Sequence, residues 1–154
     1  MKNTLRFLFL LFASAGLNPI HAEELNLDQY SGQVVYVDFW ASWCIPCKKS
    51  FPWMNEMHQK YKDQGLKIIA VNVDEESADA DKFLADTPAE FTILRDPEGK
   101  LAKQYKLVGM PTSLLFDTQG KLVSRHVGFK KSKTEGYEAE FKKLLPNTTQ
   151  TNAE

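Results

Sequence analysis

Cysteine and histidine are scarce in this sequence, with two Cys and three His among 154 residues. Two cysteines cannot build a multi-disulfide scaffold, so the fold must rest on a hydrophobic core. No Lys/Arg-dense block occurs, and 19 basic residues stand against 20 acidic ones for a net charge of −1. Nucleic acid is therefore not expected as a partner, since phosphate contacts need a concentrated positive field. No apolar run reaches the roughly 18 residues of a membrane-spanning helix, and no internal repeat or low-complexity block is visible. What remains, 43% hydrophobic and 25% charged, is the composition of one ordinary globular domain. The length suffices for one substantial core and is too short for two.

The N-terminal segment reads as an address rather than as part of the fold. Lys2 and Arg6 precede an apolar run of 11 residues from Phe7 to Leu17, Pro19 breaks it, and Ala22 stands just before Glu23 and Glu24. That layout of basic start, short apolar stretch and small residue predicts a secretory signal peptide over residues 1–22. An uncleaved membrane anchor is the alternative. The expected organisation is signal peptide 1–22, folded domain 23–146 and a polar, disordered tail 147–154. An exported chain would work, in the periplasm of a Gram-negative host, where disulfides persist.

Within the domain, Val34–Trp40 (VVYVDFW) and Leu66–Val73 (LKIIAVNV) are almost continuously apolar, as parallel strands covered on both faces are. Between them the spacing of Cys47, Phe51, Met54, Met57 and Tyr61 predicts a helix from about Cys44 to Lys62, with Pro52 removing one donor inside it. A surface helix is expected over Glu75–Ala85, a short strand over Phe91–Leu94 and a short helix over Gly99–Tyr105. A hairpin follows, with arms Ser113–Phe116 and Lys121–Val127, and a closing helix over Thr134–Leu145 that Pro146 stops. Strands alternating with helices, then a hairpin and a last helix, describe a three-layer α/β/α sandwich with a mixed central sheet. Strand order is not readable from this pattern.

Cys44-Ile45-Pro46-Cys47 sits where a buried strand ends and a helix begins. A thiol at a helix N-terminus meets unpaired N–H groups and the positive end of the helix dipole, which favours the thiolate. Cys44 is thus the expected attacking sulfur. Cys47 heads the apolar stripe and should be more buried and placed to resolve a mixed disulfide. Pro46 suits the first helical turn, where its missing N–H is not needed. Two other readings of the motif are open. Half of a zinc site would need two further ligands, and the remaining candidates, His58 and His126, lie on different predicted elements. A structural disulfide closing so small a loop would stabilise little.

The stretch Val37-Asp38-Phe39-Trp40-Ala41-Ser42-Trp43-Cys44-Ile45-Pro46-Cys47-Lys48 resembles the active-site segment of thioredoxin-fold thiol:disulfide oxidoreductases. Gly109-Met110-Pro111-Thr112 resembles their second landmark, a loop whose proline is cis and packs beside the cysteines. Lys48-Lys49-Ser50-Phe51-Pro52, Val71-Asn72-Val73-Asp74 and a helix-strand insertion before Pro111 are similar to the TlpA/ResA-like periplasmic branch. Two positions depart from that branch: Asp38 and Ser50 stand where its pattern has Asn and Glu. The acid is where thioredoxin keeps one, but the lysine that thioredoxin places opposite it is matched here by Ala70.

The resemblance implies a set of roles. Met110 and Pro111 belong to a substrate groove in which backbone before the proline pairs with an extended peptide. Trp43 caps the active-site surface, and with Ile45 and Pro46 it is expected to touch substrate; Trp40 is expected in the core. Asp38, in the middle of an apolar strand, is costly unless paired or protonated, and is expected to relay a proton to or from Cys47. A merely structural, hydrogen-bonded acid is the alternative. His126 is expected as a surface residue. No cofactor is expected beyond the redox-active Cys44–Cys47 pair.

The expected activity is reduction of protein disulfides. Pro46 resembles the reducing members, where the oxidising DsbA-like branch usually carries His. A reductase outside the cytoplasm needs electrons, so the resemblance implies a membrane thiol donor of the DsbD/CcdA type, and cytochrome c maturation is one client pathway. A thiol oxidase or isomerase of DsbA/DsbC-like role is the runner-up within the same chemistry. A copper-binding chaperone of the Sco-like kind is the alternative of another class, although its cysteines are spaced one residue wider. A peroxidase of the peroxiredoxin type is disfavoured by the absence of its Pro/Thr pattern before Cys44.

Overall fold

The computed structural model describes residues 25–146; the expected signal peptide and the tail after Pro146 lie outside them. Five strands form one sheet: β1 (Val34–Trp40), β2 (Leu66–Asn72), β3 (Thr92–Arg95), β4 (Thr112–Phe116) and β5 (Leu122–Val127). Their order is β3-β2-β1-β4-β5. β1 pairs parallel with β2 and antiparallel with β4, which makes it the central strand, and β5 closes one edge antiparallel to β4. Burial on both faces explains why β1 is apolar at every position but Asp38: every residue of it is buried.

The helices are α1 (Ile45–Tyr61), α2 (Ser77–Asp86), α3 (Lys100–Gln104) and α4 (Thr134–Leu144). They cover the sheet unequally. On one face Val34, Tyr36 and Trp40 of β1 meet Cys47, Phe51, Met54, Met57 and Tyr61 of α1, Phe83 of α2, and Tyr137 and Phe141 of α4. On the other, Val35, Val37 and Phe39 are covered by Leu101 of α3, by Tyr105 and Leu107 just beyond it, and by the lead-in residues Leu25, Leu27 and Tyr30. The result is the expected three-layer α/β/α sandwich of thioredoxin-like type, with α2 and β3 inserted ahead of the Pro111 loop.

The thick face is an aromatic cluster. Phe51 lies 4.9 Å from Trp40, 5.0 Å from Phe83 and 5.4 Å from Phe91 between ring centres. Tyr36 and Phe141 stand 5.1 Å apart edge to face, a geometry that adds to simple area burial. The predicted stripe of α1 is buried as expected, and Ser50 and Trp53 are buried beside it. Pro52 lies on the exposed side of α1, where the unmatched carbonyl four residues earlier can turn to water, so the helix runs on through it. Element ends differ from the sequence expectation by a residue or two, α2 most, starting at Ser77 rather than Glu75.

Candidate active site

β1 ends at Trp40 and α1 begins at Ile45, so the chain turns through Ala41–Cys44 at the C-terminal end of the parallel strands. Cys44 is the N-cap of α1, in extended conformation, and its Sγ accepts the Cys47 backbone N–H at 3.3 Å. Helix N-termini leave such donors unpaired, so a sulfur carrying negative charge is stabilised there by the same N–H groups. Cys44 and Cys47 are joined in a disulfide with their Cα atoms 5.3 Å apart. Cys47 is fully buried while Cys44 retains 5% exposure. Trp43 and Ile45, on either side of Cys44, are 69% and 72% exposed, a large apolar surface set around the one accessible sulfur. Trp40, as expected, is in the core.

The second landmark arrives through the sheet. Phe39 pairs with Thr112 across β1 and β4, so the residues just before Thr112 lie alongside the turn that leads to Cys44. The Met110–Pro111 bond is cis. Thr112 Oγ1 donates to the Gly109 carbonyl at 2.6 Å, and the Pro111 carbonyl accepts the Gly128 N–H at 2.7 Å. Gly128 makes that bond with φ +78°, which a side chain would resist. Met110 is half-buried and packs on the thick-face core, while Val108 and Val127 of the same neighbourhood are exposed.

Asp38 faces the cysteine side of the sheet, between Tyr36 and Trp40 on β1. It is 1% exposed, its strand neighbours are Ala70 on β2 and Ser113 on β4, and only Ser113 can pair with it. Burial pushes its carboxyl up to about 7, with the Ser113 hydrogen bond opposing. An acid titrating there can both take and return a proton near neutral pH.

A further acid stands out that the sequence reading left as a motif letter only. Asp74, two residues beyond β2, accepts the Ser42 N–H at 2.9 Å and the Ser42 hydroxyl at 3.0 Å. It also accepts from Asn72 Nδ2 at 2.7 Å, and Asn72 in turn accepts from Arg95 of β3. Asp74 thus ties the turn before Cys44 to the end of β2. An acid directly after a buried parallel strand, at the sheet end that carries the cysteines, was the available signal. His126 is likewise not a free surface residue: its Nε2 sits 2.9 Å from Glu140 of α4 and 3.1 Å from the Ser124 hydroxyl. Among the described residues no three His, Cys, Asp or Glu side chains gather in a way that could hold a metal ion.

A Cys-x-x-Cys disulfide at a helix N-terminus, a cis-proline loop beside it and this sheet order define a thioredoxin-fold thiol:disulfide oxidoreductase. The chain belongs to the AhpC/TSA family, whose model matches residues 12–125. It is 33% identical over 130 residues to a thiol-disulfide oxidoreductase ResA of Bacillus thuringiensis subsp. konkukian, covering 84% of this chain and 74% of the relative. Among solved structures it is similar to a Chlorobium tepidum protein described as a thiol:disulfide interchange protein DsbE, at 50% identity and TM-score 0.76, covering 78% of this chain and 85% of that one. An exposed lipoprotein thioredoxin of Streptococcus pneumoniae is 31% identical with TM-score 0.68, over 77% of this chain and 90% of that one. The chain is accordingly an oxidoreductase of the ResA/DsbE type, acting on thiols and disulfides through Cys44 and Cys47.

Proposed function

We propose that this protein is an exported disulfide reductase of protein substrates. Cys44 attacks a client disulfide and Cys47 resolves the mixed disulfide, with Asp38 exchanging the Cys47 proton. Trp43, Ile45, Pro46, Met110 and Pro111 form the surface on which the client segment lies. The observation that carries the reading is the asymmetry of the pair: Cys44 caps α1 with a donor on its sulfur and an exposed apolar collar, while Cys47 is sealed in the core.

Direction and place follow from chemistry around that pair. Pro46 supports the reducing direction, and a reductase outside the cytoplasm must be recharged by a dithiol carried in the membrane, of DsbD/CcdA type. Residues 1–22 serve as the export signal, 23–146 as the working domain and 147–154 as a tail; the periplasm is the compartment and cytochrome c maturation the client pathway. Among the described residues no helix is long and apolar enough to cross a membrane.

The test is the reduction potential of the Cys44/Cys47 pair against dithiothreitol and glutathione buffers. A value near or below about −230 mV supports the reductase, and a value near about −120 mV replaces it by an oxidase and removes the need for a membrane donor. Fractionation of the native host tests export, a cytoplasmic pool of full-length chain being the contrary result.

A further inference from the structure

A carboxyl group buried in a strand has two oxygens to satisfy, and at Asp38 the sheet satisfies one. Across the row formed by the strands, Ala70 of β2 offers a methyl group, and Ser113 of β4 places its hydroxyl 2.5 Å from Asp38 Oδ1. Oδ2 is equally buried and has no hydrogen-bond partner among the described residues. Ser113 is itself only 5% exposed, so this bond is shielded from water and from salt.

We propose that Ser113 is the positioning residue of the Asp38 relay, its hydroxyl holding Oδ1 and thereby leaving Oδ2 as the oxygen that takes and returns the Cys47 proton. The proposal rests on the relay reading above and adds the atom that orients it. In the mixed disulfide the Cys47 thiol gives its proton to Oδ2. The resulting thiolate bonds to Cys44 Sγ as the bond from Cys44 to the client sulfur breaks. The client leaves as a thiolate and is protonated by water; it has been reduced, and the Cys44/Cys47 pair oxidised. When a dithiol donor reduces the pair again, Oδ2 returns the proton to Cys47.

Ser113 also sets where this exchange is possible. A hydroxyl donating to a carboxylate favours the ionised form, while burial favours the protonated one. With both acting the carboxyl titrates at about 7. Other titratable groups face this region: Tyr36 from β1, Cys47 from α1, His126 from β5 opposite Ser113, and Tyr137 and Glu140 from α4. α2 brings Ala80, Phe83 and Leu84 to the same core, none of them titratable.

The experiment compares Ser113→Thr with Ser113→Val, side chains of one shape that suit a strand and differ in the hydroxyl. In the oxidised protein, where neither cysteine titrates, the Asp38 carboxyl carbon is followed by NMR against pH. It is assigned as the signal missing from Asp38→Asn. The Thr variant is expected to keep the wild-type midpoint, and the Val variant to titrate about one pH unit higher. The pH profile of client-disulfide reduction moves with the Val midpoint. An unmoved Asp38 midpoint in the Val variant overturns the proposal. A moved midpoint, together with an Asp38→Asn protein that reduces client at the wild-type rate from about pH 5 to about pH 9, overturns the relay reading on which it rests.

Discussion

Two sulfurs three residues apart have different surroundings, and the proposed mechanism gives them different work on that ground. Cys44 sits at the end of a helix with the Cys47 N–H on its sulfur, and Cys47 is enclosed by the aromatic face of the sheet. On the proposed mechanism, replacing Cys47 by Ala removes the resolving thiol but not the attacking one. The expected outcome is a client adduct on Cys44 that survives non-reducing electrophoresis and is seen as a mass increase, whereas Cys44→Ala forms none. Both sulfurs were legible in the sequence, since a strand-turn-helix context around Cys-x-x-Cys is enough to place Cys44 at the helix end and Cys47 in the core. The Ser113–Asp38 hydrogen bond was not legible, because its partners lie 75 positions apart and the pairing depends on strand register.

The elements of this protein position the site through their ends. The turn from β1 to α1 is held from outside by Asp74, which follows β2 and binds Ser42 through both backbone and hydroxyl. Asp74→Ala strips the partners from two Ser42 donors and from Asn72, so a loss of about 2 kcal/mol in denaturant unfolding is expected, with slowed exchange. Ser42→Ala removes one of those bonds and is expected to lose about half as much. Equal losses from the two variants would show that the Asp74 carboxylate contributes nothing beyond the hydroxyl contact. The predicted helices and strands were found with shifts of a residue or so. The Asp74 tie was missed because the two strands' ends are adjacent only once β1 and β2 pair in parallel.

For the whole molecule the layer with α1, α2 and α4 carries the greater share of packing, and Phe51 stands at its centre with three aromatic neighbours. Phe51→Ala should destabilise by about 3–5 kcal/mol in urea, enough to threaten folding. Stability should also depend on pH through Asp38. Its folded carboxyl holds a proton up to about 7, while the unfolded one releases it near 4. Between these values the native state binds more protons than the unfolded state, so stability falls as pH rises and levels off above the folded midpoint. The full difference is on the order of 4 kcal/mol. Asp38→Asn should flatten this slope and be more stable than wild type at pH 8, the isosteric amide carrying no charge to bury. Unfolding curves at pH 5 and pH 8 read the effect, and parallel slopes in the two proteins would refute it.

The sequence by itself determined the chemistry and the class of fold. Periodicity and apolar runs mark buried strands and amphipathic helices because burial acts locally, residue by residue, and the Cys44/Cys47 spacing carries its own helix-end context. It also indicated that Asp38 is anomalous, a charge inside an apolar strand. Only the tertiary structure decided what surrounds these residues: the order β3-β2-β1-β4-β5, Ser113 as the partner of Asp38, Asp74 as the tie on Ser42, and His126 against Glu140. Hydrogen bonds between strands are set by register, and register is fixed by the joint burial of both faces of the sheet rather than by any one segment.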